Sequence, residues 1–281
     1  MKLPFTKMHG CGNDYIYFNC FEHEVPEPEA LSVKLSDHHF GIGGDGIILI
    51  CPSETADAKM RIFNADGSEA KMCGNGIRCV GKYLYDNGMV GGREQITVDT
   101  LSGIKNLTLF PQNNLVQTVR VDMGPAALSP QEIPAYLDGN RIVGVPLVVD
   151  ERVYHITCVS MGNPHCVIFC KEDVDQLDLA HLGPKFEHNP LFPERINTEF
   201  INVLGNGELK MRVWERGSGE TWACGTGSCA SGVAACLNGL CEKGRDITIH
   251  LRGGDLTVNY TDETVFMTGA ATKVFEGVIE I

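Results

Sequence analysis

Two segments of the chain repeat each other: Lys59–Gly76 (KMRIFNADGSEAKMCGNG) and Lys210–Gly227 (KMRVWERGSGETWACGTG). They align without a gap at an offset of 151 residues (210 − 59 = 151), and seven of their eighteen positions are identical. Cys73 and Cys224 are among these positions, and each is followed by a Gly-x-Gly tripeptide. A shared core would repeat only an apolar pattern, so a cysteine repeated in one glycine-rich context indicates a paired chemical function.

The repeat predicts two domains of similar fold within 281 residues. We expect an N-terminal lobe of residues 1–123 that carries Cys73 and a C-terminal lobe of residues 124–269 that carries Cys224. The C-terminal segment 270–281 is expected to pack back on the first lobe.

Each cysteine is followed by a predicted helix, from about residue 76 to 87 in the first half and from about 227 to 238 in the second. The remaining segments are mostly short strands that alternate apolar and polar residues and are separated by glycine, asparagine and proline turns. This order predicts an α+β protein with two pseudo-symmetric lobes, each with antiparallel strands wrapped around a central helix.

The composition limits the range of partners. The chain has a formal net charge of −13 and no cluster of basic residues, which argues against a nucleic acid and favours a small polar substrate. No apolar run is long enough for a membrane span, so no membrane contact is expected. The N-terminus lacks a secretory apolar region, which predicts a cytoplasmic location.

The twelve cysteines do not have the spacing of a zinc site, because no CxxC motif occurs. No metal is therefore expected. Gly41–Gly46 (GIGGDG) satisfies the dinucleotide pattern GxGxxG, but a strand-like Ile-Ile-Leu-Ile run follows where that fingerprint requires a helix. We interpret it as a turn before a strand: either a tight turn that leads into a buried strand, or a turn that faces a ligand, with a counterpart around Asn197 in the second half.

A thiol at a helix start can act as an acid or base. The unpaired N–H groups of the first turn favour the thiolate, so we expect lowered pKa values for Cys73 and Cys224. The same N–H groups can bind a carboxylate. Two such thiols suit inversion at an amino-acid α-carbon, since one removes a proton from one face while the other delivers a proton to the opposite face. No Schiff-base lysine is evident in these segments, so a route without pyridoxal phosphate or another cofactor is preferred.

These segments carry a family resemblance. The sequence resembles the diaminopimelate epimerases through HGCGND (9–14), FNADGSEAKMCGNGIRC (63–79), MGNPH (161–165), ERINTEF (194–200) and ERGSGETWACGTGSC (215–229). The resemblance implies the two-lobed fold of that family, a homodimer, and pyridoxal-independent interconversion of LL- and meso-diaminopimelate by Cys73 and Cys224. The implied ligands of the distal amino and carboxylate groups are Asn13, Asn64, Asn163, Asn197, Glu215 and Arg216. The implied ligands of the reacting carboxylate are Gly74, Asn75, Gly225 and Thr226.

The sequence departs from the family pattern at two positions. Gly46 stands where many members have glutamine, and Trp222 stands two residues before Cys224, where smaller or polar residues are common.

Two alternatives to the epimerase remain at this point. One is a related cofactor-independent racemase, such as one for proline, which has no distal zwitterion for Glu215 and Arg216 to hold. The other is a non-catalytic thiol switch.

Other polar or reactive residues receive structural interpretations. Cys79 and Cys229 lie inside the predicted helices and are expected in the core. His165 is expected to be a hydrogen-bonded histidine near the core, outside the catalytic pair. Glu69 and Glu220 are expected to cap the loop before each helix through backbone N–H groups.

Overall fold

The structure, a computed structural model, describes all 281 residues and divides into two compact units. The first contains Met1–Asp122 and Thr268–Ile281, and the second contains Met123–Met267. The C-terminal residues therefore belong to the same unit as the N-terminus.

Eighteen strands and four α-helices make up the chain. The strands are β1 (Lys2–Gly10), β2 (Asn13–Asn19), β3 (Gly46–Cys51), β4 (Ala58–Asn64), β5 (Glu69–Ala70), β6 (Gln95–Asp99), β7 (Lys105–Gln112), β8 (Leu115–Asp122), β9 (Val145–Val149), β10 (Arg152–Ser160), β11 (Pro164–Phe169), β12 (Asn197–Gly205), β13 (Glu208–Glu215), β14 (Gly219–Thr221), β15 (Asp246–Leu251), β16 (Gly254–Tyr260), β17 (Val265–Ala270) and β18 (Thr272–Glu280). The helices are α1 (Pro28–Ser36), α2 (Gly74–Asp86), α3 (Leu179–Glu187) and α4 (Gly225–Leu237). A short 3-10 turn spans Val174–Gln176.

The two units repeat the same order of elements. The helix pairs α1/α3 and α2/α4 each begin 151 residues apart (179 − 28 and 225 − 74). In the first unit β2 and β3 are parallel and so are β4 and β6, while in the second the parallel pairs are β11/β12 and β13/β15. Most other pairings are antiparallel, so each lobe has a mixed sheet. The predicted α+β class with a helix in each lobe is confirmed.

Each unit is completed by one further strand. In the first unit β18 pairs antiparallel with β1, and in the second β9 pairs antiparallel with β10. Since β1 and β10 are equivalent strands of the repeat, β18 brings the end of the chain to the place that β9 takes in the other half.

The glycine-rich segment before β3 forms bends and leads into a strand that is almost wholly buried. The interpretation of GIGGDG as a turn is confirmed, because no helix follows it. None of the four helices is long and apolar enough to span a bilayer.

The central helices pack closely on the strands that follow them, which explains a glycine at the same place in each. A Cβ atom on Gly81 would lie 2.9 Å from a methyl carbon of Leu107, and one on Gly232 would lie 2.7 Å from a methyl carbon of Val258. Contacts below 3.0 Å require the neighbouring atoms to move. The favourable packing therefore outweighs the helix propensity that alanine would add.

We expect Gly232→Ala to destabilise the protein although alanine is the better helix former. Overpacking costs about 1–3 kcal/mol, whereas the gain in propensity is about 1 kcal/mol. Urea denaturation would measure a lower free energy of unfolding, with Lys34→Ala on the exposed face of α1 as a control expected to change it by less than about 0.5 kcal/mol. A stabilised Gly232→Ala variant would contradict this account of the packing.

Candidate active site

Both repeated cysteines are N-cap residues of the central helices. Cys73 and Cys224 have extended backbones, and their sulfur atoms accept hydrogen bonds from the N–H groups of Gly76 and Gly227, each at 3.3 Å. A sulfur therefore occupies the place that a serine, threonine or aspartate oxygen usually takes at a helix start. The predicted position of each thiol at a helix N-terminus is confirmed.

The expected lowering of the thiol pKa values is wrong. Burial raises the pKa of Cys73, although the N–H groups of Gly76 and Asn75 and the Arg78 guanidinium act in the opposite direction. Burial raises the pKa of Cys224 still further above its usual range, with the carboxylates of Glu215 and Glu199 adding to the shift. Desolvation of the thiolate thus outweighs the helix N-terminus at both sites.

In the first unit, Cys73 is linked to a carboxylate through an asparagine. The thiol donates to Asn13 Oδ1 at 3.3 Å, and Asn13 Nδ2 donates to Asp45 Oδ2 at 2.6 Å. The same Asp45 oxygen accepts from the backbone N–H of Asp14 at 3.0 Å. The carboxylate therefore fixes which end of the Asn13 amide faces the sulfur. Tyr15, whose hydroxyl contacts Cys73, has a pKa raised well above its usual value by burial and remains a neutral hydrogen-bonding group.

In the second unit, a longer chain of hydrogen bonds ends at Cys224. Thr226 Oγ1 lies 3.5 Å from the sulfur and accepts from Asn163 Nδ2 at 3.3 Å. Asn163 Oδ1 lies 3.1 Å from His165 Nε2, and His165 Nδ1 lies 2.7 Å from Glu199 Oε1. Asn13 and Asn163, which match in the repeat, thus both lie in a chain between a cysteine and an acidic side chain.

The sequence interpretation placed His165 correctly as a hydrogen-bonded buried histidine but gave no role to Glu199. One donor atom each from His165, Glu199 and Cys224 lie within 4.8 Å of one another, and all three residues are buried. The His165–Glu199 hydrogen bond already uses the two atoms that face each other, so we interpret this group as a hydrogen-bonded cluster. The available signal was a glutamate directly before the apolar pair Phe200 and Ile201, in the part of β12 that is buried.

Glu215 and Arg216 lie at the end of β13. Glu215 Oε1 accepts from the Thr221 hydroxyl at 2.5 Å, and its carboxylate also contacts the Cys224 thiol. Burial raises the pKa of Glu215. The guanidinium of Arg216 donates to the backbone carbonyl of Glu194 at 2.9 Å, so the two neighbours make separate contacts and do not pair with each other in these hydrogen bonds.

The other predicted ligands have defined hydrogen bonds. Asn64 Nδ2 donates to Ser68 Oγ at 3.0 Å, and the buried Asn75 accepts from Arg78 at 2.9 Å. The side chain of Asn197 is engaged on both sides, because it donates to the Pro164 carbonyl at 2.7 Å and accepts from the backbone N–H of Arg216 at 2.9 Å. Asn197 therefore positions Arg216.

Glycine residues complete the two helix starts. Gly74 and Gly225 are the first residues of α2 and α4. Their N–H groups therefore belong to the first turn, whose N–H groups have no acceptor within the helix. Gly46 cannot carry a side chain, because a Cβ atom there would lie 2.1 Å from the Phe63 carbonyl oxygen. A glutamine at this position would therefore require the backbone here to move. Trp222 is 64% exposed.

The repeated glutamates have a different role from the one predicted. Glu69 forms an ion pair with Arg61, with Oε1 2.8 Å from the guanidinium, and Glu220 forms the equivalent pair with Arg212 at 2.8 Å. They hold β5 and β14 to the preceding strands and do not cap the helices. Cys79 and Cys229 are fully buried, which confirms their assignment to the core.

Comparison with known proteins identifies the family. A family model for diaminopimelate epimerase matches residues 5–129 and 157–274. The diaminopimelate epimerase of Agathobacter rectalis is 54% identical over 288 residues, which cover 99% of this chain and 100% of that protein. The chain belongs to the diaminopimelate epimerase family. The enzyme of that name from Acetivibrio thermocellus is also 54% identical, over 281 residues and 99% of each chain.

The fold of the family extends to more distant proteins. A probable proline racemase from Agrobacterium radiobacter K84 has a TM-score of 0.71 and 17% identity, over 99% of this chain and 92% of that chain. At this identity the likeness shows a shared fold and nothing about the substrate. The resemblance to diaminopimelate epimerases stated from the motifs is confirmed by the family match.

The raised thiol pKa predicts how Cys73 reacts with iodoacetamide. Only the thiolate is nucleophilic, so a pKa above the usual value keeps the reactive fraction small at neutral pH and lets it grow as the pH rises. We expect the alkylation rate of Cys73, followed by peptide mass spectrometry, to keep rising through pH 9. The fully buried Cys79 serves as an unreactive control in the folded protein. A rate that levels off below pH 8 would mean that the helix start dominates over burial.

Proposed function

We propose that this protein interconverts LL- and meso-2,6-diaminopimelate without pyridoxal phosphate, with Cys73 and Cys224 as the two acid/base groups. The observation that carries the proposal is the matched pair of thiols, each at the N-cap of the central helix of its unit and each followed by glycine. Family membership supports diaminopimelate as the substrate. The reaction would supply precursors of lysine and peptidoglycan.

In the proposed chemistry the two cysteines together carry one proton before and after the reaction. In each direction one cysteine is the thiolate and takes the α-proton, which leaves a carbanion whose charge extends into the carboxylate. The other cysteine is the thiol and delivers its proton to the opposite face of the α-carbon. The enzyme finishes with the proton on the first cysteine, and the reverse reaction or exchange with solvent restores the starting form.

Helix N-termini are the proposed ligands of the reacting carboxylate. The first-turn N–H groups of Gly74, Asn75, Gly225 and Thr226 are suited to stabilise the charge that develops when the α-proton leaves. No electron sink from a cofactor is needed if these donors are held in place before the reaction. Glycine at the first position of each helix allows the carboxylate to approach the backbone closely.

The distal end of the substrate is proposed to bind an unsymmetrical set of side chains. Glu215 would accept the distal ammonium, and Arg216, held by Asn197, would bind the distal carboxylate through the N–H groups that do not face Glu194. The amides of Asn13, Asn64 and Asn163 would complete the set. Neutralisation of Glu215 by the ammonium would also remove a charge that raises the pKa of Cys224, so substrate binding would favour its thiolate.

Removal of either thiol should stop the reaction. We expect Cys73→Ala and Cys224→Ala each to lower kcat by at least about 1,000-fold, since a positioned acid or base contributes about 10²–10⁴ and here the chemistry needs both. The assay follows conversion of LL-diaminopimelate to the meso isomer with a reductant and without added pyridoxal phosphate. Near-normal turnover in either variant would contradict the two-thiol assignment.

Two controls make this experiment specific. Cys241→Ala removes a thiol that follows the C-terminal end of α4, at the opposite end of that helix from Cys224, and should retain wild-type activity. L-Proline as a substrate tests the related racemase, because proline lacks the distal groups that Glu215 and Arg216 are proposed to bind. Inversion of proline at a comparable rate would favour that activity over the epimerase.

We also propose a cytoplasmic homodimer, which the family resemblance implies and an exposed apolar surface on β18 supports. Val274 and Val278 of this strand are 54% and 63% exposed, and Val274 lies where the pairing with β1 shifts register. Apolar side chains exposed along one strand are typical of surfaces that associate. A second copy of the chain is the proposed occupant.

The double substitution Val274→Asp/Val278→Asp should separate the dimer, because two buried carboxylates per copy would lose their hydration. Analytical ultracentrifugation should show the mass falling from twice 30.7 kDa to 30.7 kDa. Val153→Asp, on the exposed face of β10, is the matched control and should leave the mass unchanged. A wild-type protein that sediments as a monomer would contradict the proposal.

A further inference from the structure

The repeat provides an internal comparison for the buried pair His165–Glu199. At an offset of 151 the equivalent of Glu199 is Ile48, and at an offset of 150 the equivalent of His165 is Tyr15 (199 − 48 = 151; 165 − 15 = 150). A Cβ atom on Gly76 would meet Ile48 Cδ1 at 2.6 Å, and one on Gly227 would meet Glu199 Oε1 at 2.6 Å. The same place beside the helix start is thus filled by a methyl group in one unit and a carboxylate in the other.

This carboxylate is unfavourable for stability. Glu199 and His165 are both 0% exposed, and Glu199 Oε2 has no hydrogen-bond partner. A buried charge or an unsatisfied polar atom costs free energy that an apolar side chain of similar size avoids. Because Ile48 shows that the fold accepts an apolar residue here, packing alone does not account for Glu199.

The hydrogen bonds define the direction in which protons point. Asn163 Nδ2 donates to Thr226 Oγ1, so Asn163 Oδ1 accepts and His165 Nε2 must carry a proton. A second proton lies between His165 Nδ1 and Glu199 Oε1, 2.7 Å apart. Whichever of the two atoms holds that proton, His165 and Glu199 together are neutral.

The same polarity continues to the sulfur. Since the Thr226 oxygen accepts from Asn163, its own hydroxyl hydrogen is available to Cys224 Sγ at 3.5 Å. A donor directed at the sulfur stabilises the thiolate relative to the thiol. The hydrogen-bond chain from Glu199 to Thr226 therefore ends in a hydroxyl that donates to the sulfur. If the Asn163 amide were turned around, the Thr226 hydroxyl would donate to Asn163 and no longer to the sulfur.

We propose that Glu199 is a positioning residue, which shares a proton with His165 Nδ1, keeps His165 Nε2 protonated and so directs the Asn163–Thr226 chain to donate to the Cys224 thiolate. This inference rests on the proposed acid/base function of Cys224. In Glu199→Gln the side chain has no proton to share, and with the amide oxygen in the place of Glu199 Oε1 it accepts from Nδ1, so that a neutral ring presents a lone pair at Nε2. Asn163 would turn its NH₂ group to that lone pair, and Thr226 would donate to Asn163 Oδ1 and no longer to the sulfur.

The sign of the resulting shift separates this role from a simple charge effect. Loss of the donor makes the Cys224 thiolate less stable, whereas removal of the Glu199 charge, which by itself acts to raise the pKa of Cys224, would make the thiolate more stable. The other titratable groups that face this cluster are Glu215 on β13 and Cys166 on β11, and a charge on Glu199 acts to raise the pKa of both.

The test measures titration of Cys224 directly, in a Cys73→Ala background, from the β-carbon resonance of ¹³C-labelled cysteine. Glu199→Gln should move the midpoint to higher pH by about one pH unit. With Cys73 intact, the substitution should lower kcat about tenfold, which is a part of what a positioned acid or base contributes. A midpoint that moves to lower pH, or does not move, would overturn the proposal.

Three further measurements keep the result interpretable. Thr198→Val removes the buried hydroxyl of the neighbouring residue, which also lacks a partner, and should leave the midpoint unchanged. Glu199→Ile introduces the residue found at position 48 and should fold with an unchanged or higher melting temperature. If Glu199→Gln does not fold, ¹⁵N spectra of wild-type histidine decide the question, because His165 should carry a proton at Nε2 and an unprotonated Nε2 would contradict the proposal. If the wild-type protein showed no epimerase activity, the proposed function would be overturned, while the titration of Cys224 would still test the role of Glu199.

Discussion

The structure depends on a sulfur atom at the N-cap of each central helix. The cap requires an N–H group three residues after the cysteine, at Gly76 and Gly227. Any residue other than glycine at these positions would place a Cβ atom 2.6 Å from Ile48 or Glu199. The Cys-Gly-x-Gly motif is therefore a packing constraint as well as a chemical one. It fixes each thiol on a regular helix inside its unit, and a catalytic group on a rigid element keeps its geometry better than one on a loop.

Burial determines how these thiols behave. Donors at the helix start favour the thiolate, but desolvation is the larger effect at Cys73 and at Cys224, so both pKa values are raised. Glu215 adds to the shift in the second unit. A cationic substrate group that neutralises Glu215 would lower the pKa of Cys224 only when substrate is bound. The Cys224 sulfur would then stay protonated in the free enzyme.

The sequence predicted much of this arrangement because the repeat and the motifs are local signals. The helices α2 and α4, their capping cysteines and the family followed from residues close together in the chain. Helices α1 and α3 were not predicted. Glu27 gives α1 no side-chain cap, and α3 contains Pro184, a residue that usually ends a helix. The thiol pKa values and the Glu199–His165 pair were also missed, because burial and the contact between β11 and β12 are properties of the folded chain.

Duplication explains the balance between what the units share and where they differ. The shared N-cap thiols supply the proposed proton chemistry, while Tyr15 against His165, Ile48 against Glu199 and Gly46 against Asn197 give each half-site a different polar environment. A substrate such as diaminopimelate, which would bind with one amino-acid end reacting and the other distal, would need this difference. The fold alone does not, since it also occurs in a probable proline racemase.

The central claim is that two different thiols handle the proton on the two faces of one carbon. The most direct test is LL-diaminopimelate incubated with the wild-type protein in D₂O and analysed at low conversion. Two separate bases predict deuterium at the inverted α-carbon of the meso product and almost none in the recovered LL substrate, because the thiol that removes the proton is not the one that returns a deuteron. Equal deuterium in recovered substrate and product would indicate a single base and would contradict the account.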